Sequence, residues 1–324
     1  MKESLTPEKI QKEYSTGDLG KENAVELLIS LIEGSDNTEI RVGSIKALEK
    51  LNFHTEKIFK ILENYMISDE SAIVRASAAN YIMHNFLEDG LRALRWVIQH
   101  EKSPLVLKLF FDSIEIFDSP QLKLIKKALI NWNEQFSSKI GVVPQESKFF
   151  LDLEVLFAKG KRNYEVNPSS YKHFEELSDI KNGEPWLVIK NKHVEILNFN
   201  YFKWKFIKNN TDIVNSLSKL QDLDVYLCSL RKYSHNDVLI STIPESIGSL
   251  IYLNKLILQR NGLKYLPISM KKLTFLKELD LSYNKFDEIP HVLTSLNALE
   301  KLNIKHNIVQ STPESLFYNT KVIR

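Results

Sequence analysis

Cysteine is almost absent: Cys228 stands alone in 324 residues. A single thiol rules out an intrachain disulfide or a multi-cysteine metal site. Lying in or beside a predicted strand, it reads as a buried inert thiol rather than a nucleophile. Glycine is scarce too, with ten in the chain. No Gly-x-Gly-x-x-Gly, no phosphate loop ending in Lys-Ser/Thr and no Gly-x-Ser-x-Gly occurs, so neither a nucleotide cradle nor a nucleophile elbow is expected. The histidines at 54, 84, 100, 173, 193, 235, 291 and 306 form no His-x-x-x-His pair and no zinc-like spacing. The expectation is a non-enzymatic chain with no cofactor, no metal and no small-molecule ligand. No apolar run approaches a membrane span, and the start, Met1-Lys-Glu-Ser-Leu-Thr-Pro-Glu-Lys, lacks the apolar core of a signal peptide. No membrane partner is expected, and a reducing, cytoplasmic compartment is. Excess charge of one sign is missing as well: 43 Lys and Arg meet 41 Asp and Glu, a net of +2. Residues 1–140 carry −3 and residues 141–324 carry +5. A duplex-wrapping helical array needs clustered Lys and Arg, so the negative first half argues against nucleic acid.

What is present is one phrase written three times. Leu253-Asn-Lys-Leu256-Ile-Leu258-Gln-Arg-Asn261 recurs as Leu276-Lys-Glu-Leu279-Asp-Leu281-Ser-Tyr-Asn284 and as Leu299-Glu-Lys-Leu302-Asn-Ile304-Lys-His-Asn307, each copy 23 residues after the last. A second phrase follows each: Leu266-Pro267, Ile289-Pro290, Thr312-Pro313. Leu-x-x-Leu-x-Leu is the alternation of a strand with one buried face. The Asn sits where the chain leaves the strand, and its amide can both donate to and accept from buried turn backbone. Met270-x-x-Leu273, Leu293-x-x-Leu296 and Leu316 supply a short helical apolar stripe on the convex side. This pattern resembles a leucine-rich repeat. The resemblance implies an α/β solenoid whose strands line a concave face, with protein binding as its usual work. The Leu-Pro-x-x-Ile-like phrase, best at Ile243-Pro-Glu-Ser-Ile247-x-x-Leu250, is similar to intracellular leucine-rich repeat proteins that scaffold Ras-type signalling.

The first half is helical in pairs. Apolar faces run through Val25, Leu28 and Ile32, then Ile45 and Leu48, Ile58 and Leu62, Val74, Ala78 and Ile82, Leu91, Leu94 and Val97, and Leu107, Phe110 and Ile114. Asp36, Asp69, Ser103-Pro104 and Ser119-Pro120 are start signals. Basic residues sit early in each second helix, at Arg41, Arg75 and Lys108, spaced 34 and 33 apart. Asp near the start of a helix with Arg one turn later resembles a short HEAT repeat, best at Val74-Arg-Ala-Ser-Ala-Ala79. Leu107-Lys-Leu-Phe-Phe-Asp112 departs from it, with two Phe where small residues belong. The implied fold class is a HEAT-like α-solenoid followed by an α/β leucine-rich repeat solenoid.

The expected organisation is a polar tail at 1–18, a helical repeat domain at 19–140, a connecting segment at 141–185 and a leucine-rich repeat domain at 186–324. In the connecting segment, Phe149–Phe157 suits a buried helix or strand alike, Lys159–Arg162 is a basic turn and Ser170–Leu177 a short helix. Residues 186–197 read as a hairpin capping the open end of the repeats. Degenerate repeats are expected from Val194 and from Leu220, the second with an extra loop around Leu227–Asp237. Tyr201–Lys208, which alternates aromatic residues with Lys, is the best remaining nucleic-acid candidate. Residues 310–324 are expected to fray or to associate through an uncapped apolar edge.

The expected partner is a protein. Residues between the leucines should face outward in three columns: Ile257, Asp280 and Asn303; Gln259, Ser282 and Lys305; Arg260, Tyr283 and His306. The third is the chosen contact column, because Arg and Tyr dominate interface energies. A protein-interaction scaffold is the first reading. An adaptor or regulatory subunit of an enzyme complex is the second, and a nucleic-acid-binding helical repeat protein the third.

Overall fold

The computed structural model describes residues 5–116, 122–158, 187–198, 242–309 and 320–323. It divides into two compact units, Met1–Trp132 with Ala158–Val166, and Asn133–Phe157 with Asn167–Arg324. Cys228, Lys159–Arg162, Ser170–Leu177, Tyr201–Lys208, Leu220–Val225, Leu227–Asp237, Ser119-Pro120 and Leu316 lie outside the described residues. Among the described residues, no helix is long and apolar enough to cross a membrane.

The first unit contains α1 (Pro7–Thr16), α2 (Lys21–Gly34), α3 (Thr38–Lys50), α4 (Glu56–Ser68), α5 (Ala72–Asn85), α6 (Leu87–His100), α7 (Pro104–Ile116) and the start of α8 (Lys123–Ile140). Helix α2 packs on α3, and α4 on α5. The second helices also pack on one another, α3 on α5 and α5 on α7, as α4 does on α6. Leu28, Ile32, Ile45, Leu48, Leu62, Val74, Tyr81, Ile82, Leu94 and Phe110 form one core. The residues expected as a polar tail instead include α1. Thr6 accepts from the Lys9 amide at 3.3 Å, Pro7 opens the helix, and Gly17 closes it at φ 83°. A narrow apolar face, Ile10 buried and Tyr14 one turn on, holds α1 against α2 and α3. Asn37, not Asp36, caps α3 by accepting from the Glu39 amide at 2.8 Å.

An ion-pair ladder links successive helix pairs. The Arg41 guanidinium meets the Asp69 carboxylate at 3.1 Å and donates to the Ser35 carbonyl at 2.9 Å. Arg75 donates to both carboxylate oxygens of Glu101 at 2.8 and 2.9 Å, and to the Asp69 carbonyl at 2.8 Å. Lys108, third in the basic series, pairs inside its own helix with Asp112.

In the second unit, α9 (Pro144–Ala158) settles the ambiguous apolar run as a helix, burying Phe149, Phe150, Leu151 and Leu153. The expected hairpin is present as β1 (Leu187–Lys190) and β2 (His193–Asn198). Among the described residues, four short strands follow: β3 (Lys255–Ile257), β4 (Glu278–Asp280), β5 (Lys301–Asn303) and β6 (Lys321–Ile323). The sheet order is β1 to β6, antiparallel only between β1 and β2. Strand β2 pairs directly with β3, Leu197 opposite Leu256.

Among the described residues, 3-10 helices lie at Glu245–Ser249 before β3, at Ile268–Lys272 between β3 and β4, and at His291–Ser295 between β4 and β5, and the last two connections hold no α-helix. Pro precedes each, and Ile247, Met270 and Leu293 face the core.

Candidate binding face

Consecutive in-register parallel strands lie about 4.8 Å apart, so equivalent positions of successive repeats form columns. Leu256, Leu279 and Leu302 point into the core. On the opposite face, Lys255, Glu278, Lys301 and Lys321 form one column, and Ile257, Asp280, Asn303 and Ile323 the next. Residues 255–257, 278–280, 301 and 303 line a shallow depression there.

The columns are tied together laterally. Glu278 lies 3.2 Å from the Lys255 ammonium and 3.8 Å from that of Lys301. Asp280 accepts from the Asn303 amide at 3.0 Å through one oxygen. Through the other it accepts from the Ser282 amide at 2.8 Å and from the Ser282 hydroxyl at 2.6 Å. Asn303 accepts from the Lys305 amide at 3.2 Å.

Not every residue expected in the three columns is accessible. Ser282 is only 1% exposed and Ile257 8%, whereas Lys305 is open to solvent and Gln259 partly so. The strands end at 257, 280 and 303, and the alternation of side-chain directions ends with them. Ser282 lies in the turn beyond, where its hydroxyl serves Asp280.

Arg260, Tyr283 and His306 do come together. The Arg260 guanidinium lies over the Tyr283 ring at 3.9 Å, and the His306 ring stacks on Tyr283 at 4.0 Å and 22°. All three hold left-handed backbone, with φ of 60°, 57° and 57°. This conformation costs a non-glycine residue roughly 1 kcal/mol or more, with Asn and His better tolerated than most. It places the next residue, Asn261, Asn284 or Asn307, in the turn core. The Asn284 carbonyl oxygen accepts from the Asn261 and Leu263 amides, both at 3.0 Å. Its nitrogen donates to the carbonyls of Leu258 at 2.9 Å and Leu281 at 2.8 Å. Asn307 repeats the pattern, donating to Leu281 and Ile304 and accepting from the Phe286 amide.

Two features went unread in the sequence. One is the fastening of the hairpin to α9. The buried Glu146 carboxylate takes the His193 Nδ1 contact at 2.8 Å and accepts from the Val194 amide at 2.9 Å. The Val143 amide donates to the Lys192 carbonyl, and Ser246 donates to Asp152 at 2.5 Å. The other is an aromatic row along the sheet's edge: His193 on Tyr252 at 4.1 Å, and Tyr252 on Phe275 at 5.7 Å. Tyr252 and Phe275 are 23 residues apart, which is the signal that could have found the row.

Burial pushes the Glu146 carboxyl above its usual range, against the opposing hydrogen bonds from His193 and Val194. A carboxyl raised in the fold contributes stability that is fully present below its ordinary value of 4.5 and lost as pH rises through the raised one. Wild type should therefore gain urea resistance relative to Glu146→Gln as pH falls from neutral toward 4.5. A difference that stays flat with pH would show that burial does not govern this carboxyl.

Among the described residues, no group of three or more His, Cys, Asp and Glu side chains is placed to hold a metal ion. Residues 251–308 match the leucine rich repeat family. No curated protein matches the chain. The matched region runs from the segment before β3 to the turn after β5, and so contains all three members of the Arg260–Tyr283–His306 stack.

Proposed function

We propose that this leucine-rich repeat chain is a non-enzymatic, cytoplasmic scaffold that holds a protein partner on the open face of its repeat sheet. The observation carrying this reading is the Arg260–Tyr283–His306 stack. Three large side chains occupy successive left-handed positions where Asn or Gly would fit with less strain. Backbone strain of this kind clusters where a side chain is kept for its function. The stack also orders Arg and Tyr before any partner arrives, which lowers the entropic cost of using them.

In this reading the two units are solenoids, the first of the short HEAT-like kind. The Arg41–Asp69 and Arg75–Glu101 pairs support that, because each joins one helix pair to the next. The Leu-Pro-x-x-Ile-like phrase favours a partner from small-GTPase-type signalling, by analogy alone.

A photoactivatable phenylalanine analogue at position 283 of the full chain should cross-link one protein from cell extract, and the same analogue at position 265 should not. With that protein purified, Tyr283→Asn should weaken binding at least about tenfold. Asn tolerates the backbone, so stability should stay within about 0.5 kcal/mol. Unchanged binding by a folded Tyr283→Asn variant would remove this face as the docking site.

A further inference from the structure

From the charge pattern of the open face we infer that the partner presents an acidic polypeptide segment, seated across β5 and β6 with carboxylates between Lys301 and Lys321. This rests on the reading of that face as the docking surface, and adds the chemistry of what docks.

The first column alternates in sign across β3, β4 and β5. Lys255, Glu278 and Lys301 are mutually paired, with Glu278 the shared carboxylate. The next member breaks the alternation: Lys321 stands directly beside Lys301 in the parallel register. Like charges on adjacent strands destabilise a sheet. Glu278 is committed to two ammonium groups on its own side and lies two strands away from Lys321. Lys305, just beyond β5, adds a third exposed cation. Neither Lys305 nor Lys321 has a carboxylate in ion-pairing range among the described residues. An acidic side chain set between Lys301 and Lys321 would cancel the repulsion that the bare sheet carries.

The rest of the face agrees in sign. Lys255, Arg260, Lys301, Lys305 and Lys321 are cationic there, against Glu278 and Asp280. Such a surface accelerates and orients the approach of an acidic partner. A nucleic-acid backbone fits less well. Glu278 and Asp280 interrupt the cations in mid-face, where a continuous row of phosphates would meet them. Tyr283 has one ring face under Arg260 and the other against His306, which leaves it none for stacking on a base.

The test uses the full chain and a fluorescein-labelled peptide of alternating Glu and Ser, followed by anisotropy at low and physiological salt. Binding should weaken with salt, and Lys301→Glu/Lys321→Glu should weaken it at least about tenfold. Glu278→Gln, which removes the competing carboxylate, should tighten it about threefold. Single Lys321→Glu places opposite charges side by side, so misfolding does not explain its loss of binding. A Lys-Ser peptide should not bind, and an oligo-thymidine of equal charge should bind more weakly than the Glu-Ser peptide. Absent peptide binding, or binding indifferent to the double substitution, overturns the inference. Tighter binding of the oligonucleotide overturns it in favour of nucleic acid. The protein cross-linked at position 283 separates the two readings. If it is lost by Tyr283→Asn but retained by the Lys301/Lys321 double variant, the face is right and the acidic segment wrong. If neither variant affects it, both fall.

Discussion

Asn284→Ala should destabilise the repeat unit by about 3 kcal/mol, a large loss for one small side chain. The size follows from the number of groups the amide serves. Two buried N–H donors, of Asn261 and Leu263, and the buried Leu258 carbonyl lose this partner together, while the Leu281 carbonyl keeps the Asn307 amide. Asn284 is 6% exposed, so water cannot replace the amide without opening the turn. A buried polar group left alone costs roughly 1–3 kcal/mol, and three such groups in one turn relax jointly rather than additively. Asn307→Ala should cost less, because Asn307 is more exposed and serves fewer buried groups. Hydrogen–deuterium exchange over residues 255–265 is the direct measure, since the amides of Asn261 and Leu263 should lose protection first. A loss below about 1 kcal/mol, with those amides still protected, would show that the turns are held by leucine packing and not by the amide ladder.

The ladder was legible in the sequence because its causes are local. Leucines at period two make a half-buried strand, and an Asn at fixed distance marks the turn. Three copies at 23 residues leave little freedom. The ends were harder to read. Helix α9 closes the stack through Glu146, and nothing near Glu146 in the chain points to His193, 47 residues away. Its apolar run fitted strand and helix equally, and only packing against the hairpin decides. Helix α1 was overlooked for a different reason. Its surface is mostly polar, and two apolar residues one turn apart suffice once Thr6 and Pro7 start the helix. Within the strands the named positions share one register, Ile257 beside Asp280 beside Asn303, and beyond the strands alternation no longer orders the side chains. Ser282 shows why: alternation is a property of extended backbone, and Tyr283 is already left-handed. That the third column stacks on itself was not visible, because the stack depends on φ values that no hydrophobic pattern encodes.

Asp69→Ala should be the most costly single change in the helical unit, at about 3–5 kcal/mol. Asp69 sits in the loop between α4 and α5 and serves three groups from two helix pairs. Its carboxylate faces the Arg41 guanidinium and accepts from the Ser71 amide at 2.7 Å. Its backbone carbonyl accepts from Arg75, whose guanidinium goes on to Glu101. The chain Arg41–Asp69–Arg75–Glu101 thus runs through successive helix pairs, and the side chains of Arg41 and Asp69 are only 7% and 5% exposed. A buried ion pair adds little over apolar packing, because removing both charges from water offsets their attraction. Breaking one is different, since it strands the other charge. Asp69→Ala leaves the Arg41 guanidinium buried with only the Ser35 carbonyl. Arg41→Met/Asp69→Asn removes both charges and keeps an acceptor for the Ser71 amide, so it should cost within about 1 kcal/mol of wild type. Urea unfolding of the full chain, followed by far-ultraviolet dichroism for the helical unit, compares the three proteins. If the double variant loses as much as Asp69→Ala, the cost comes from the loop's own geometry and not from a stranded charge. In that case the arginine ladder would be a consequence of the helix stacking rather than one of its causes.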